Sequence, residues 1–257
     1  MLRTSTAADI PALQALWQHC FGDPPAYTRL YFAHLWQPEQ VFLAAEGPEV
    51  QAMAIWFPLQ VSGRPAAYFY AVCTDPAYRS RGISRRLLAY AEASLRTRGV
   101  GQFLLVPGDA GLFRFYAAQG YTCCGTIGQA QLGQPAPGDV APLKPEDYLV
   151  RRARCLTLPH AAYSLPLLEH QARLCALSGG GLFALGETGC AVCERTPEGT
   201  LFVKELLGCD PVSGGNALLY HFHLARGAVR FPDPHGTPFC MGKALAQSPL
   251  YLGLAFD

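Results

Sequence analysis

The sequence predicts a mixed α/β layer fold, α+β in its mixed sheet, followed by a second, degenerate copy of the same fold. Three observations carry this. Over residues 1–132 the strand and helix patterns follow the order β-α-α-β-β-β-α-β-α-β. A Pro/Gly-rich run, Gly133-Gln134-Pro135-Ala136-Pro137-Gly138, extended by Pro142 to Pro145, then interrupts the pattern. Residues 147–257 echo the first order in outline, as a diverged internal duplication does. The expected organisation is a first domain at 1–132, a linker at 133–146 and a second domain at 147–257.

Each element has a local reason. Leu2-Arg3-Thr4 reads as a short strand. Thr6 caps the next helix, with Asp9 three residues on as its capping-box partner, and Ile10, Leu13, Leu16, Trp17 and Cys20 recur at helical spacing. Gly22-Asp23-Pro24-Pro25 breaks that helix, and a second covers Ala26 to Leu35. Val41 to Ala45 and Val50 to Val61 are strands joined at Gly47-Pro48. Ser62-Gly63-Arg64-Pro65 turns the chain into a third, Ala66 to Thr74. A helix starts near Gly82 with Ile83, Leu87, Leu88, Ala91 and Leu95 as its apolar stripe, and Gly99 stops it. Gln102 to Val106 is a buried strand. Asp109 caps a helix over Ala110 to Gln119, and Tyr121 to Gln129 resumes strand.

In the second half, Tyr148 to Thr157 reads as strand and Pro166 to Leu177 as helix. Gly181 to Leu185, Gly189 to Arg195 and Thr200 to Leu207 form a meander. Ala217 to Leu224 reads as helix, and Ala228 to Phe231, Pro238 to Leu245 and Tyr251 to Phe256 as short strands.

Composition bounds the function. Half of the 257 residues are hydrophobic and 15% are charged, which excludes a largely disordered chain. A formal net charge of +1 supplies no global field for nucleic acid or an anionic membrane, so neither is an expected partner. Met1-Leu2-Arg3-Thr4-Ser5 runs directly into helix-start residues, and no apolar run reaches bilayer length, so a cytoplasmic location is expected. The ten cysteines then read as reduced thiols. No metal is expected. Cys190-x-x-Cys193 has no second pair at zinc spacing, Cys123-Cys124 are adjacent, and His221-x-His223 does not face one ligand.

The richest stretch is Thr74-Asp75-Pro76-Ala77-Tyr78-Arg79-Ser80-Arg81-Gly82-Ile83-Ser84-Arg85-Arg86-Leu87-Leu88. A strand runs in and an amphipathic helix runs out. The turn between them sits where amide N–H groups lack partners and the helix dipole is positive, which suits phosphate.

With its flanks, this stretch resembles the GNAT superfamily of acetyl-CoA-dependent N-acyltransferases over residues 1 to about 130. Thr74-Asp75-Pro76-Ala77-Tyr78 is similar to the strand end before the family's cofactor loop. Arg79-Ser80-Arg81-Gly82-Ile83-Ser84 is similar to its Arg/Gln-x-x-Gly-x-Gly/Ala loop, and Leu87-Leu88 to the helix that follows. Phe115-Tyr116-Ala117-Ala118-Gln119-Gly120-Tyr121 is similar to its aromatic helix end. Ser84 stands where Gly or Ala is usual, and Asp109 where many members have Asn.

The resemblance implies acetyl-CoA as co-substrate and an amine acceptor. It implies that the backbone of Val72, Cys73 and Thr74 pairs with the pantetheine arm. It also implies that the amides of Arg79, Ser80, Arg81, Gly82, Ile83, Ser84 and Arg85 hold the pyrophosphate, and that Tyr116 is the acid toward the leaving thiolate. The base stays open between a water chain, His34 and the carboxylate of Asp257. Leu105-Val106-Pro107-Gly108, with the same aromatic helix end, resembles the first domain of the enhanced-intracellular-survival acetyltransferases.

Tyr31, Trp56, Phe57, Tyr68 and Tyr70 are candidates to line the acceptor pocket. The expected activity is N-acetylation of a primary amine on a small molecule. The alternatives are a protein N-terminus or lysine as acceptor, or a non-catalytic acyl-CoA-binding module, and an oligomer is possible. The second half offers Gly208-Cys209-Asp210-Pro211-Val212-Ser213-Gly214-Gly215-Asn216 at the equivalent turn. That turn has no basic residue, and Asp210 repels phosphate, so no second nucleotide is expected.

Overall fold

The computed structural model describes residues 1–246 and 248–256. They form two compact units: Met1–Thr122 with Met241–Ala246, and Cys123–Cys240 with residues 248–256.

The first unit follows the expected order. It runs β1 (Leu2–Thr4), α1 (Ile10–Phe21), α2 (Pro25–His34), β2 (Val41–Glu46), β3 (Glu49–Val61), β4 (Arg64–Thr74), α3 (Ile83–Thr97), β5 (Gln102–Leu105) and α4 (Ala110–Ala117). The sheet order is β1-β2-β3-β4-β5. All its pairs are antiparallel except β4–β5, which runs parallel through Ala66↔Gln102 to Phe69↔Leu105. Each sheet face is covered, so the strands are apolar on both sides. On one face the α3 stripe of Ile83, Leu87, Leu88, Ala91 and Leu95 is buried against Phe42, Ala54, Ala67, Phe69 and Phe103. On the other, Trp17 of α1 and Tyr31 of α2 meet Phe57 and Tyr70.

One irregularity shapes the site. Met53 pairs with Cys73 and Ile55 with Tyr70, so Ala71 and Val72 together oppose Ala54. This is a β-bulge, and Ala71 takes a positive φ of 46° in it. The β4–β5 register ends at Phe69↔Leu105, the last residue of β5, so Tyr70 to Thr74 of β4 have no paired residue on β5.

The second unit contains β6 (Thr122–Leu132), β7 (Val140–Pro142), α5 (Pro145–Cys155), β8 (Ala161–Ala162), α6 (Leu165–Leu177), β9 (Gly181–Leu185), β10 (Gly189–Arg195), β11 (Leu201–Leu207), α7 (Pro211–Phe222), β12 (Gly227–Pro232) and, as far as Cys240, β13 (Thr237–Lys243). The echo of the first unit is visible in its pairing. β7–β9–β10–β11 are antiparallel neighbours, α7 follows, and β12 returns parallel to β11. β1–β2–β3–β4, α3 and β5 do the same. The last strand of each sheet is exchanged. β6 pairs antiparallel with β12, while Met241–Lys243 of β13 pairs antiparallel with β5.

Several expectations for this half are corrected. The strand expected over Tyr148 to Thr157 is helix α5. Pro145 opens it, Glu146 and Asp147 occupy its first turn, and Arg152 and Arg154 its last, all of which match the helix dipole. The β-branched and aromatic run Tyr148-Leu149-Val150 is overridden by those end signals. The linker expected at 133–146 holds β7 and the start of α5, and the compact units divide at Thr122/Cys123. Helix α7 starts at Pro211, ahead of the expected Ala217, because Asp210 caps it through the Ser213 amide at 2.8 Å. Tyr251 makes one isolated bridge, to His160, in place of the strand expected over Tyr251 to Phe256. Asp257 lies outside the described residues.

Candidate active site

The end of β4, the turn after it and the start of α3 line one cleft of about 550 Å³, together with α4 and the end of α1. Of the expected cofactor-binding residues, Val72, Cys73, Thr74, Arg79, Ser80, Gly82, Ile83, Ser84 and Arg85 all line it, and so does Tyr116. Arg81 does not. Its guanidinium lies 5.1 Å over the Tyr78 ring, and its Nη2 donates to the Ala77 carbonyl at 3.2 Å.

Local backbone explains the cradle. Asp75 accepts from the Ala77 amide at 2.8 Å and starts a single 3-10 turn over Pro76–Tyr78. Ser80 and Gly82 then take positive φ values of 62° and 69°. Gly82 is the N-cap of α3 and has no side chain with which to cap it. The first intrahelical bond is Arg86 N–H to the Gly82 carbonyl, so the amides of Ile83, Ser84 and Arg85 lack helical partners. Arg79 Nε donates to the Thr74 carbonyl at 3.1 Å, which ties the turn to the strand end.

Tyr116 sits on α4 and is 5% exposed. Burial, reinforced by the nearby Cys73 sulfur, pushes its phenol up to about 12. The phenol therefore keeps its proton at neutral pH. Asp109 also lines the cleft, and it caps α4 as expected, accepting from the Leu112 amide at 2.8 Å.

On the face that carries α1 and α2, Tyr70 immediately precedes the bulge. Its ring stacks on Phe57 at 5.1 Å and meets Trp17 edge-on at 5.5 Å. Its hydroxyl is 3.0 Å from that of Tyr27, and Trp17 Nε1 donates to Asp23 at 2.7 Å. Tyr31, Phe57 and Tyr68 are packed core residues here. Trp56 falls on the opposite face, among the α3 cluster, because strand alternation reverses it. His34 is exposed at the end of α2 and does not line the cleft. Cys20 and Phe21 line the cleft and were not anticipated. Cys20 reads in sequence as one more member of the α1 stripe, and no local signal places the end of α1 beside the end of β4.

An open strand edge leading to an uncapped helix N-terminus suits an extended arm that ends in phosphate. Residues 1–124 match the family model described as acetyltransferase (GNAT) domain. The chain has the GNAT acetyltransferase fold. A GCN5-related N-acetyltransferase from Anabaena variabilis superposes with a TM-score of 0.71 at 14% identity, over 94% of this chain and 72% of its own. A putative acetyltransferase from Pyrococcus horikoshii gives 0.69 at 17% identity, over 100% and 94%. Eis1 from Mycobacterium abscessus gives 0.64 at 16% identity, over 93% and 67%. No curated protein matches the sequence.

The coverage extends the GNAT likeness over both units, as a tandem arrangement does. The GNAT-fold homology supports acetyl-CoA-dependent acyltransferase activity, with the family-model match confined to residues 1–124. Among the described residues, no group of three or more His, Cys, Asp or Glu could hold a metal, and no helix is long and apolar enough to cross a membrane.

Proposed function

We propose that this chain is an N-acetyltransferase that moves the acetyl group of acetyl-CoA to a primary amine of a small molecule. One observation carries the reading: the free edge of β4, the uncapped start of α3 and the buried Tyr116 phenol meet in one cleft. Acetyl-CoA, when bound, supplies an acetyl thioester activated toward amines. The backbone of Val72, Cys73 and Thr74 holds its pantetheine arm as an added strand. The amides between Arg79 and Arg85 hold its pyrophosphate, with positive helix-end potential behind them. Tyr116 retains a proton within the cleft and is placed to give it to the leaving sulfur.

The acceptor is read from the half-buried Tyr27 and Tyr70, whose hydroxyls lie 3.0 Å apart beside the bulge. Two phenol tips on an aromatic wall suit a compact amine better than an extended polypeptide.

The second unit is read as non-binding for nucleotide. Asp210 already occupies the start of α7 and places a carboxylate where α3 presents bare amides.

The deciding experiment is acetyl-CoA titration by calorimetry, followed by CoA release against panels of small amines and of peptides. One acetyl-CoA per chain and turnover on small amines are expected. No binding overturns the reading. Two sites per chain overturn the assignment of the second unit, and turnover confined to peptides overturns the acceptor class.

A further inference from the structure

Thr74 is the last residue of β4 and lines the cleft. Its cross-strand partner is Ala52, a member of the cluster under α3, so the Thr74 side chain lies on the face where α3 begins. Its hydroxyl oxygen is buried there and has no hydrogen-bond partner among the described residues. A buried hydroxyl without a partner is a cost to the fold, and native proteins keep few of them.

The backbone of the same residue narrows what it can offer a ligand. Asp75 N–H donates to the Gln51 carbonyl at 2.9 Å, so Thr74, one residue earlier, turns its own N–H and carbonyl away from β3. That carbonyl is already engaged. Arg79 Nε donates to it at 3.1 Å, and the Cys20 thiol at 3.6 Å. Two donors match the two lone pairs of a carbonyl oxygen. The approach of α1 to the cleft therefore closes the backbone acceptor at Thr74. The hydroxyl is the acceptor that remains on this residue.

We propose that the Thr74 hydroxyl is a cofactor-binding group, which hydrogen-bonds the hydroxyl-bearing segment of the CoA arm where that arm joins the pyrophosphate.

This assignment rests on the cofactor reading above, and position selects the segment. Arg79 opens the phosphate turn and is tied back to Thr74, so Thr74 stands where the strand edge meets the turn. An arm laid along β4 meets its phosphates at the same place. The phosphates have their own donors in the amides of Ile83, Ser84 and Arg85, which lack helical partners. The segment of CoA next to them carries an alcohol and an amide carbonyl. A threonine hydroxyl can donate to or accept from such groups. Rotation about its Cα–Cβ bond exchanges the hydroxyl with the methyl and leaves the strand in place. β11, which holds the place of β4 in the second unit, ends in Leu206-Leu207 and carries no such hydroxyl.

Two effects of opposite sign follow. In the free protein the unpaired hydroxyl destabilises, and in the complex it forms a bond. Valine keeps the shape of threonine and removes the hydroxyl, so T74V relieves the first and loses the second. A hydroxyl with a purely structural partner would instead lose stability in T74V and leave affinity alone.

The test compares full-length wild type, T74V and T74S. Each is unfolded in urea without ligand and titrated with acetyl-CoA by calorimetry. Each is also titrated in competition with 3′-phospho-ADP, which keeps the phosphates and lacks the arm. T74V is expected to unfold at the wild-type urea midpoint or above it. It is expected to bind acetyl-CoA about tenfold more weakly and 3′-phospho-ADP unchanged. T74S keeps the hydroxyl and is expected to bind acetyl-CoA within a few-fold of wild type.

Wild-type affinity of T74V for acetyl-CoA overturns the proposal, and so does a T74S loss as large as that of T74V. A lowered midpoint for free T74V, or its failure to fold, also overturns it, because the hydroxyl would then have a partner without the cofactor. An equal loss toward both ligands assigns the hydroxyl to the phosphates and overturns its place on the arm. Failure of the wild type to bind acetyl-CoA is a different result, which overturns the cofactor reading itself.

Discussion

Lys243 Nζ lies 2.7 Å from Glu92 Oε2, across 151 residues of sequence. Glu92 is 3% exposed on α3 and is also reached by Tyr121 Oη at 2.9 Å and Arg96 Nη2 at 3.2 Å. A buried carboxylate needs that full set of donors. Lys243 arrives on β13, whose Met241–Lys243 segment also covers the edge of β5. The first GNAT unit is therefore closed by residues from the far end of the chain. K243M is expected to cost about 1–3 kcal/mol by leaving Glu92 short of a donor, read as a lowered urea midpoint. A fragment of residues 1–132 is expected to unfold at lower urea than the full chain and to self-associate through the bared β5 edge. Equal midpoints would show that the late strand contributes nothing.

In the second unit, Arg152 Nε and Nη2 bind both oxygens of Glu205 at 3.0–3.3 Å, and neither residue is more than 3% exposed. Arg152 also donates to the carbonyls of Ala161 at 2.7 Å and Leu252 at 3.1 Å, and Tyr148 donates to Glu205. Removing one charge strands the other in the core. E205Q is expected to cost about 3–5 kcal/mol, measured by chemical denaturation. The double variant R152M/E205L is expected to recover part of that loss. A loss no smaller than that of E205Q would indicate that the stranded charge is not the cause.

These long-range ties mark where the sequence was readable and where it was not. The order of the first unit, the Asp109 cap and the cofactor turn all rest on signals within a few residues. Pro76, Tyr78, Gly82 and Ser84 each act on their own neighbours, so the turn was legible. The exchange of β6 and β13 was not, because either strand has the apolar alternation needed to pair with either sheet. The approach of Cys20 to the Thr74 carbonyl depends on how α1 packs over β4, which no spacing encodes. Trp56 was misplaced for a smaller reason, since a continuous apolar strand does not reveal which residues face which layer. Helix α5 is hard to read because the strand propensity of Tyr148 to Val150 competes with the charges at its ends.

Gly82 tests the cradle. Its φ of 69° is strained for any residue with a Cβ, and an added Cβ would also stand 3.4 Å from Arg86 Nη1. G82A is expected to destabilise the fold by about 1–2 kcal/mol and to weaken acetyl-CoA binding about tenfold or more, as the start of α3 shifts. S84A retains a small side chain at the neighbouring position and is expected to bind within a few-fold of wild type. If both variants bind acetyl-CoA as the wild type does, the turn does not hold the pyrophosphate.

Tyr116 separates a catalytic phenol from a packing ring. It meets Tyr121 at 5.9 Å and Phe115 at 5.2 Å, contacts that a phenylalanine would preserve. Y116F is therefore expected to fold normally and bind acetyl-CoA unchanged. Its kcat is expected to fall about 10²-fold or more, within the range of a lost general acid. The direction of its pH dependence follows from its burial. A phenol raised to about 12 stays protonated through neutral pH and loses its proton only as pH approaches that value. The folded state thus favours the protonated form fully below the ordinary phenol range near pH ~10 and loses that preference as pH rises toward about 12. Wild-type kcat is expected to show no alkaline decline from Tyr116 below about pH 10. An unchanged kcat in Y116F across that range would reduce Tyr116 to its packing role and move the proton donor elsewhere in the cleft.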